Sequence, residues 1–174
     1  MIKVAINGFG RIGRRLLRLL NNHPRIEVVA INDLADSKTL SHLLKYDSIH
    51  GVFNVEISHD ESHIIINGKK IPLLNQNHPK NCNWKPYDVD FVIEATGKFK
   101  TASDLNHHIK NGAKRVILSV PPIEDSIKTI VLGVNDDTLI HRDDLVELLV
   151  DVEYDVFNSL YKSWIRKLSN SVII

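Results

Sequence analysis

Lys3-Val4-Ala5-Ile6-Asn7-Gly8-Phe9-Gly10-Arg11-Ile12-Gly13-Arg14 carries an apolar, strand-like run straight into Gly-x-Gly-x-x-Gly and on into a helical pattern. Chains that hold a dinucleotide begin in that order. Gly8 permits the tight turn, Gly10 lets the backbone approach a pyrophosphate, and Gly13 lets the new helix lie against the strand. The helix N-terminus then offers unpaired N–H groups to the anion. Alone, the six-residue pattern is a weak signal, because glycine punctuates many turns for structural reasons. The residues that follow make it specific.

A second apolar run, Ile26-Glu27-Val28-Val29-Ala30-Ile31, ends in Asn32-Asp33 and places an acid twenty residues beyond Gly13. At this spacing a carboxylate accepts hydrogen bonds from an adenosine ribose, and an acid there repels a 2′-phosphate, which favours NAD over NADP. The plainer reading makes Asp33 a strand-end acid or a helix N-cap, a role that Asp36 or Ser37 would fill as well. The order strand, glycine loop, helix, strand, acid favours the ribose.

Outward from these residues, the pattern predicts a strand over 3–6, a helix from 12 to about 21, a strand over 26–31 and a helix over 37–45. Strands alternating with helices of this length imply an α/β fold: a Rossmann-type, doubly wound parallel sheet in a single domain. From 52 to 74 the pattern changes to short alternating strands around Asn67-Gly68, a good two-residue hairpin turn. Residues 75–87, polar and with Pro79 and Pro86, read as a loop. Residues 91–94 read as a buried strand, 102–111 as a helix ended by Gly112, and 115–118 as another strand, with 129–132 closing the sheet.

Composition bounds the answer without deciding it. The 174 residues suffice for one substantial core and are too few for two ordinary domains. A net charge of +1 leaves no general electrostatic footprint for nucleic acid or membrane. Arg11, Arg14, Arg15 and Arg18 form a local exception, read as a solvated helix face, with Arg11 placed beside the phosphate loop. A single cysteine excludes an internal disulfide and agrees with a reducing compartment, and no signal peptide or spanning apolar segment is visible, so the cytoplasm is the expected location.

The residues resemble the phosphorylating glyceraldehyde-3-phosphate dehydrogenases. Val4 to Arg14 is similar to that family's first strand and phosphate loop. Ala30-Ile31-Asn32-Asp33-Leu34, Lys38-Thr39-Leu40, and His42 to Ser48 with His50-Gly51 follow its wording. So do Asn67-Gly68-Lys69-Lys70-Ile71, Ile93-Glu94-Ala95-Thr96-Gly97 with Phe99, Gly112-Ala113-Lys114, and Leu132-Gly133-Val134-Asn135, all in family order. The resemblance covers about residues 1–138. It implies NAD as cofactor, held by Asn7, Gly8, Phe9, Gly10, Arg11, Ile12 and Gly13 at the loop, and by Asn32 and Asp33 at the second strand end. Thr96 and Gly97 would lie against the dinucleotide, and Ser119 near its nicotinamide side. These are carboxyl ends of parallel strands, where open α/β sheets bind ligands. Thr96 also suits capping of the turn after it, and the two roles coexist. Where the family often carries an adenine-side arginine in Glu-Arg-Asp-Pro, this chain reads Gln76-Asn77-His78-Pro79, so Asn77 takes the cation's place and one adenine contact weakens.

A larger departure concerns the chemistry. The family forms a thiohemiacetal on a cysteine in a Ser-Asn-Ala-Ser-Cys-Thr-Thr-Asn segment after the Gly-Val-Asn strand, with a distant histidine as base. Here the chain continues Asp136-Asp137-Thr138-Leu139-Ile140-His141-Arg142-Asp143-Asp144 and holds neither element. The only thiol, Cys82, lies in the polar loop before Trp84 and reads as a loop residue, so no catalytic residue is assigned. The nine histidines show no metal-ligand spacing. His107 and His108, being adjacent, point to different sides of their helix, and His42 and His50 match framework positions.

Residues 144–174 read as a separate C-terminal segment packed on the NAD-binding domain of 1–143. Leu145 to Asp155 is a strand-like stretch ending in Tyr-Asp, and Val156, Phe157, Leu160, Tyr161, Trp164, Ile165 and Leu168 then recur at helical spacing. The family ends similarly, with a strand, Tyr-Asp-Asn-Glu and a returning helix. The resemblance therefore implies a dehydrogenase lacking most of its catalytic domain, rejoined near 142–145; an unrelated amphipathic extension is the other reading. Val156 stands where the family motif has the asparagine that contacts the nicotinamide carboxamide, which leaves that end loosely fixed.

Three functions follow as expectations. The first is an NAD-binding module without dehydrogenase activity as an isolated chain. The second is oxidation of glyceraldehyde 3-phosphate with NAD in glycolysis, in an assembly with complete subunits. The third is a non-catalytic interaction protein, through self-association or RNA in the nucleotide groove, although the near-neutral charge argues against nucleic acid and nothing points to a membrane.

Overall fold

The computed structural model describes residues 1–131, 134, 135, 138 and 145–149. Strands β1 (Ile2–Asn7), β2 (Ile26–Asn32), β7 (Lys69–Leu74), β8 (Phe91–Glu94), β9 (Arg115–Leu118), β10 (Lys128–Val131) and β11 (Leu145–Leu149) are joined by parallel pairings. Two antiparallel strands, β6 (His63–Ile66) and β5 (Ile57–His59), extend the sheet beyond β7, giving the order β10-β11-β9-β8-β1-β2-β7-β6-β5. The hairpin at Asn67-Gly68 forms as the sequence predicts. Both residues take positive φ, +50° and +79°, the twist that suits a two-residue connection between right-twisted strands.

Alternation along the parallel strands divides the core into two layers. Val4 and Ile6 of β1, Phe91 and Ile93 of β8 and Ile117 of β9 face Leu16, Leu17 and Leu20 of α1 (Arg11–Leu20) and Leu40 and Leu44 of α2 (Ser37–Lys45). Ala5, Val92, Val116 and Leu118 face Leu105 of α3 (Ala102–Lys110) together with Trp84 and Cys82. Covering both faces with helix and loop is what lets continuous apolar strands stand in a parallel sheet. The expected doubly wound architecture is the observed one.

Residues 75–87 hold more structure than a polar loop. They contain two short 3-10 turns, Pro79–Asn81 and Lys85–Tyr87, and bury Trp84 and Cys82 completely. The arginine face of α1 also differs from a solvated one. Arg18 donates to the carbonyl of Leu44 through Nε at 3.1 Å and Nη2 at 2.6 Å and to that of Gly51 through Nη1 at 3.1 Å, and its guanidinium stands 5.3 Å from the Phe53 ring centre. Its planar fork satisfies carbonyls at the C-terminal end of α2, where the helix dipole favours a cation. Tyr46–Asp47 (β3) and Gly51–Val52 (β4) form a separate small hairpin just beyond.

Beyond residue 138 the chain re-enters the sheet. β11 lies inside it, between β9 and β10 and parallel to both, so β10 takes the edge. The amphipathic pattern over 156–168 lies outside the described residues. Among those described, no helix is long and apolar enough to cross a membrane.

Candidate cofactor groove

Strand order reverses at β1, whose neighbours β2 and β8 lead to opposite halves of the sheet. The crevice at the carboxyl ends of β1 and β8 is therefore where an open α/β sheet takes its ligand. In this crevice Asn7 and Glu94 are paired in register, and the glycine loop begins at the very next residue.

The three glycines have different reasons to be there. Gly8 takes φ +92°, and a Cβ on it would stand 2.6 Å from the amide nitrogen of Thr96, so it is required by backbone conformation and by the close approach of β8. Gly13 would place a Cβ 2.3 Å from the carbonyl oxygen of Gly8 and is required by the packing of α1 on β1. Gly10 is different: its φ is an ordinary −72°, and a Cβ would meet nothing within 4 Å. Among the described residues nothing demands a glycine at that position, and it faces open space beside the start of α1.

Gly10 is also the N-cap of α1 and supplies no side-chain hydrogen bond to it, whereas Asp36 caps α2 through the Thr39 amide at 2.7 Å and Thr101 caps α3 through the Asp104 amide at 3.1 Å. No acid sits in the first turn of α1. The helix thus meets the crevice with free N–H groups and an uncompensated positive dipole end, a disposition suited to an anion.

Asp33 stands at the carboxyl end of β2, half-buried. Its Oδ2 accepts the Phe9 amide at 2.7 Å and its Oδ1 the Ala35 amide at 3.0 Å. Asp36, not Asp33, caps α2, which removes the N-cap alternative for Asp33. Two charge-assisted bonds leave lone pairs on both oxygens for ribose hydroxyls.

The remaining predicted residues divide by burial. Arg11 and Ile12 are exposed at the loop, and Asn77 is exposed in the segment after β7. Phe9 contributes backbone only, because its side chain lies wholly in the core. Asn7 and Asn32 are also buried and build the floor of the groove: Asn32 Nδ2 donates to Asn7 Oδ1 at 2.6 Å and to the Gln76 carbonyl at 2.9 Å, and Asn32 Oδ1 accepts the Gln76 amide at 2.9 Å. Thr96 and Gly97 follow β8, with Gly97 at φ +71° and open space where a Cβ would be. Ser119 is tied by its amide and its hydroxyl, both at 3.0 Å, to the carbonyl of Glu94.

Three residues absent from the predicted set lie directly beneath the groove. Glu94 is fully buried and accepts from Asn7 Nδ2 at 2.5 Å, His108 Nε2 at 3.1 Å, the Thr96 amide at 2.9 Å and the Thr96 hydroxyl. His108, also fully buried, takes the indole N–H of Trp84 on its Nδ1 at 2.9 Å. Cys82, beside them, has its thiol pushed up to about 12 by burial, reinforced by the Glu94 charge. A thiol in that setting is no nucleophile at neutral pH.

Comparison with known proteins agrees with this geometry. The family model described as glyceraldehyde 3-phosphate dehydrogenase, NAD binding domain, matches residues 2–102. Glyceraldehyde-3-phosphate dehydrogenase 1 of Bacillus cereus is 47% identical over 137 residues, which are 79% of this chain and 41% of that protein. Glyceraldehyde-3-phosphate dehydrogenase 2 of Bacillus subtilis (strain 168) is 50% identical over 136 residues, 78% of this chain and 40% of that protein. The enzyme of that name in Thermotoga maritima is 48% identical over 141 residues, 80% and 42% respectively. The chain therefore spans about two fifths of the length of the curated relatives it matches.

Proposed function

The chain belongs to the glyceraldehyde-3-phosphate dehydrogenase family through its NAD-binding domain, and from that premise we propose that these 174 residues are a cofactor-binding module without dehydrogenase activity of their own. The module holds NAD by adenosine and pyrophosphate. The single observation that carries this reading is Gly10, a glycine that nothing among the described residues requires, at the uncapped start of α1. Loop and helix N–H groups take the pyrophosphate, Asp33 takes the ribose and disfavours a 2′-phosphate, and Thr96 and Gly97 flank the dinucleotide. Bound NAD would supply a hydride acceptor. Cys82, the only thiol, is buried and protonated, so the aldehyde finds no nucleophile among the described residues that would turn it into a hydride donor.

Calorimetric titration with NAD, NADP and ADP-ribose tests the proposal. Saturable NAD binding, nearly matched by ADP-ribose and much weaker for NADP, is expected. Absence of NAD binding, or turnover of glyceraldehyde 3-phosphate by the isolated chain, overturns it.

Assembly with complete subunits is a second reading, favoured by the exposed apolar side chains of Tyr46, Ile49 and Val52 on and around the β3–β4 hairpin. Sedimentation of the chain alone and mixed with a complete family subunit decides it: a mixed species supports assembly, and two independent boundaries exclude it.

A further inference from the structure

Beneath the groove runs a chain of hydrogen bonds with only one possible polarity. The indole N–H of Trp84 is a donor and nothing else, so His108 Nδ1, 2.9 Å away, must be the acceptor and carry no proton. The ring proton therefore sits on Nε2, which donates to Glu94 Oε2 at 3.1 Å. The same carboxylate accepts Asn7 at the end of β1 and both the amide and hydroxyl of Thr96 beyond the end of β8. Thr96 in turn packs on Gly8, where a Cβ would approach its amide to 2.6 Å. Helix α3, carrying His108, and the two strand ends that frame the groove thus meet at one carboxylate, and the loop carrying Trp84 joins them through His108.

We propose that Trp84, His108 and Glu94 are positioning residues for the dinucleotide, with the donation from His108 Nε2 to Glu94 as the working link that fixes Thr96 and Asn7 at the groove. The proposal rests on the NAD reading for its consequence, since none of the three side chains reaches the groove. Trp84 fixes the tautomer, His108 passes that choice to Glu94, and Glu94 aims the Thr96 amide and seats the strand end against Gly8. A fully desolvated network of this kind specifies one arrangement because any reversed or missing bond leaves a buried polar atom unpaired.

Two substitutions at one position separate positioning from bulk stability. In the full chain, His108→Gln places an amide N–H where Nε2 was and keeps the donation to Glu94 while losing the acceptor for Trp84. His108→Asn places its amide where Nδ1 was and does the reverse. Each leaves one buried group unpaired, so a purely structural role would move both alike. The two readouts, taken well below the melting temperature of each variant, are the hydrogen-exchange rate of the Thr96 amide in the cofactor-free chain and the Kd for NAD. His108→Gln is expected to stay within about threefold of the parent in both, whereas His108→Asn speeds Thr96 exchange and weakens NAD by about tenfold or more. Equal effects of the two variants on Thr96 exchange overturn the proposal. If the parent chain binds no NAD, the proposed function falls while Thr96 exchange still decides the positioning role. Glu94→Gln keeps the question open to disproof if His108→Asn does not fold: Thr96 donates to one carboxylate oxygen and Asn7 and His108 to the other, so the amide nitrogen displaces one set, and either Thr96 exchange rises or the Asn7 side-chain amide resonances shift; no change in both overturns the inference.

Discussion

The carboxylate of Asp33 accepts the backbone N–H of Phe9 at 2.7 Å, tying the end of β2 to the middle of the glycine loop. One acid therefore holds the loop in shape and presents its remaining lone pairs where a ribose would lie. Asp33→Ala loses both functions and should weaken NAD binding about 10- to 100-fold, the range for hydrogen bonds to a charged partner. Asp33→Asn keeps an acceptor for the Phe9 amide but removes the charge that repels a 2′-phosphate, so its preference for NAD over NADP should narrow. Calorimetry of the two variants checks both, and an unchanged NAD affinity in Asp33→Ala would remove the ribose assignment.

The glycines of the loop should separate by what they do. At Gly10 the added methyl of Gly10→Ala meets nothing within 4 Å, so stability should shift by no more than about 1 kcal/mol, the difference between glycine and alanine at an N-cap, while NAD affinity falls, because the methyl occupies the approach to the pyrophosphate. Gly13→Ala drives a methyl to 2.3 Å from the backbone oxygen of Gly8. Overpacking of that kind costs about 1 to 3 kcal/mol, more than the roughly 1 kcal/mol that alanine gains in a helix. Chemical denaturation paired with NAD titration tests the split: Gly10→Ala binding NAD as the parent does would leave Gly10 without a cofactor role.

How far the sequence led depended on the range of the interaction. The glycine loop, the acid after β2 and the Asn67-Gly68 turn were legible because each is a local requirement expressed within a few residues. Phe9 reads with the loop because it stands between two glycines, although its side chain lies wholly in the core. In the sequence Glu94 shows only as the end of a buried strand. Its partner His108 lies fourteen residues on, Trp84, which donates to His108, lies ten residues back on a separate element, and hydrophobic periodicity carries no record of which buried polar groups will pair. Arg18 reads as surface in the sequence because its acceptors are the carbonyls of Leu44, Lys45 and Gly51, which leave no mark in side-chain pattern. Nor does strand order appear in a linear pattern: β10 precedes β11 in the chain but lies outside it in the sheet.

Cys82 should be chemically silent while the chain is folded. Its Sγ lies 3.7 Å from the carbonyl of His78, the residue is wholly buried, and its pKa of about 12 leaves about one thiolate in ten thousand at pH 8. A thiol reagent such as dithionitrobenzoate is therefore expected to leave the native chain unreacted over hours and to titrate one thiol per chain in guanidinium. Rapid labelling of the native chain would show that Cys82 is accessible. Cys82→Ser should leave NAD affinity within about twofold, although burying a hydroxyl without a strong partner costs about 1 to 3 kcal/mol of stability.

The β3–β4 hairpin should loosen in acid before the sheet does. Asp47 Oδ1 accepts the amides of His50 at 2.8 Å and Ile49 at 2.9 Å, and these bonds, with a further contact to His50 Nδ1 at 3.1 Å, hold its carboxyl down at about 2. An acid whose folded pKa lies below its ordinary value near 4 adds stability that is whole above about pH 4 and disappears as the pH falls through about 2. The Ile49 and His50 amides should accordingly lose exchange protection across that window, while the amides of α1, a helix with no acid in its first turn, keep theirs. The side-chain carboxyl resonance of Asp47 reports the same event and should titrate with a midpoint near 2. Asp47→Asn removes the step, because its amide oxygen still accepts both N–H groups and does not titrate, whereas Asp47→Ala leaves the turn loose already at neutral pH. A midpoint near 4 in the parent would mean that the two amides do not hold this carboxylate in solution.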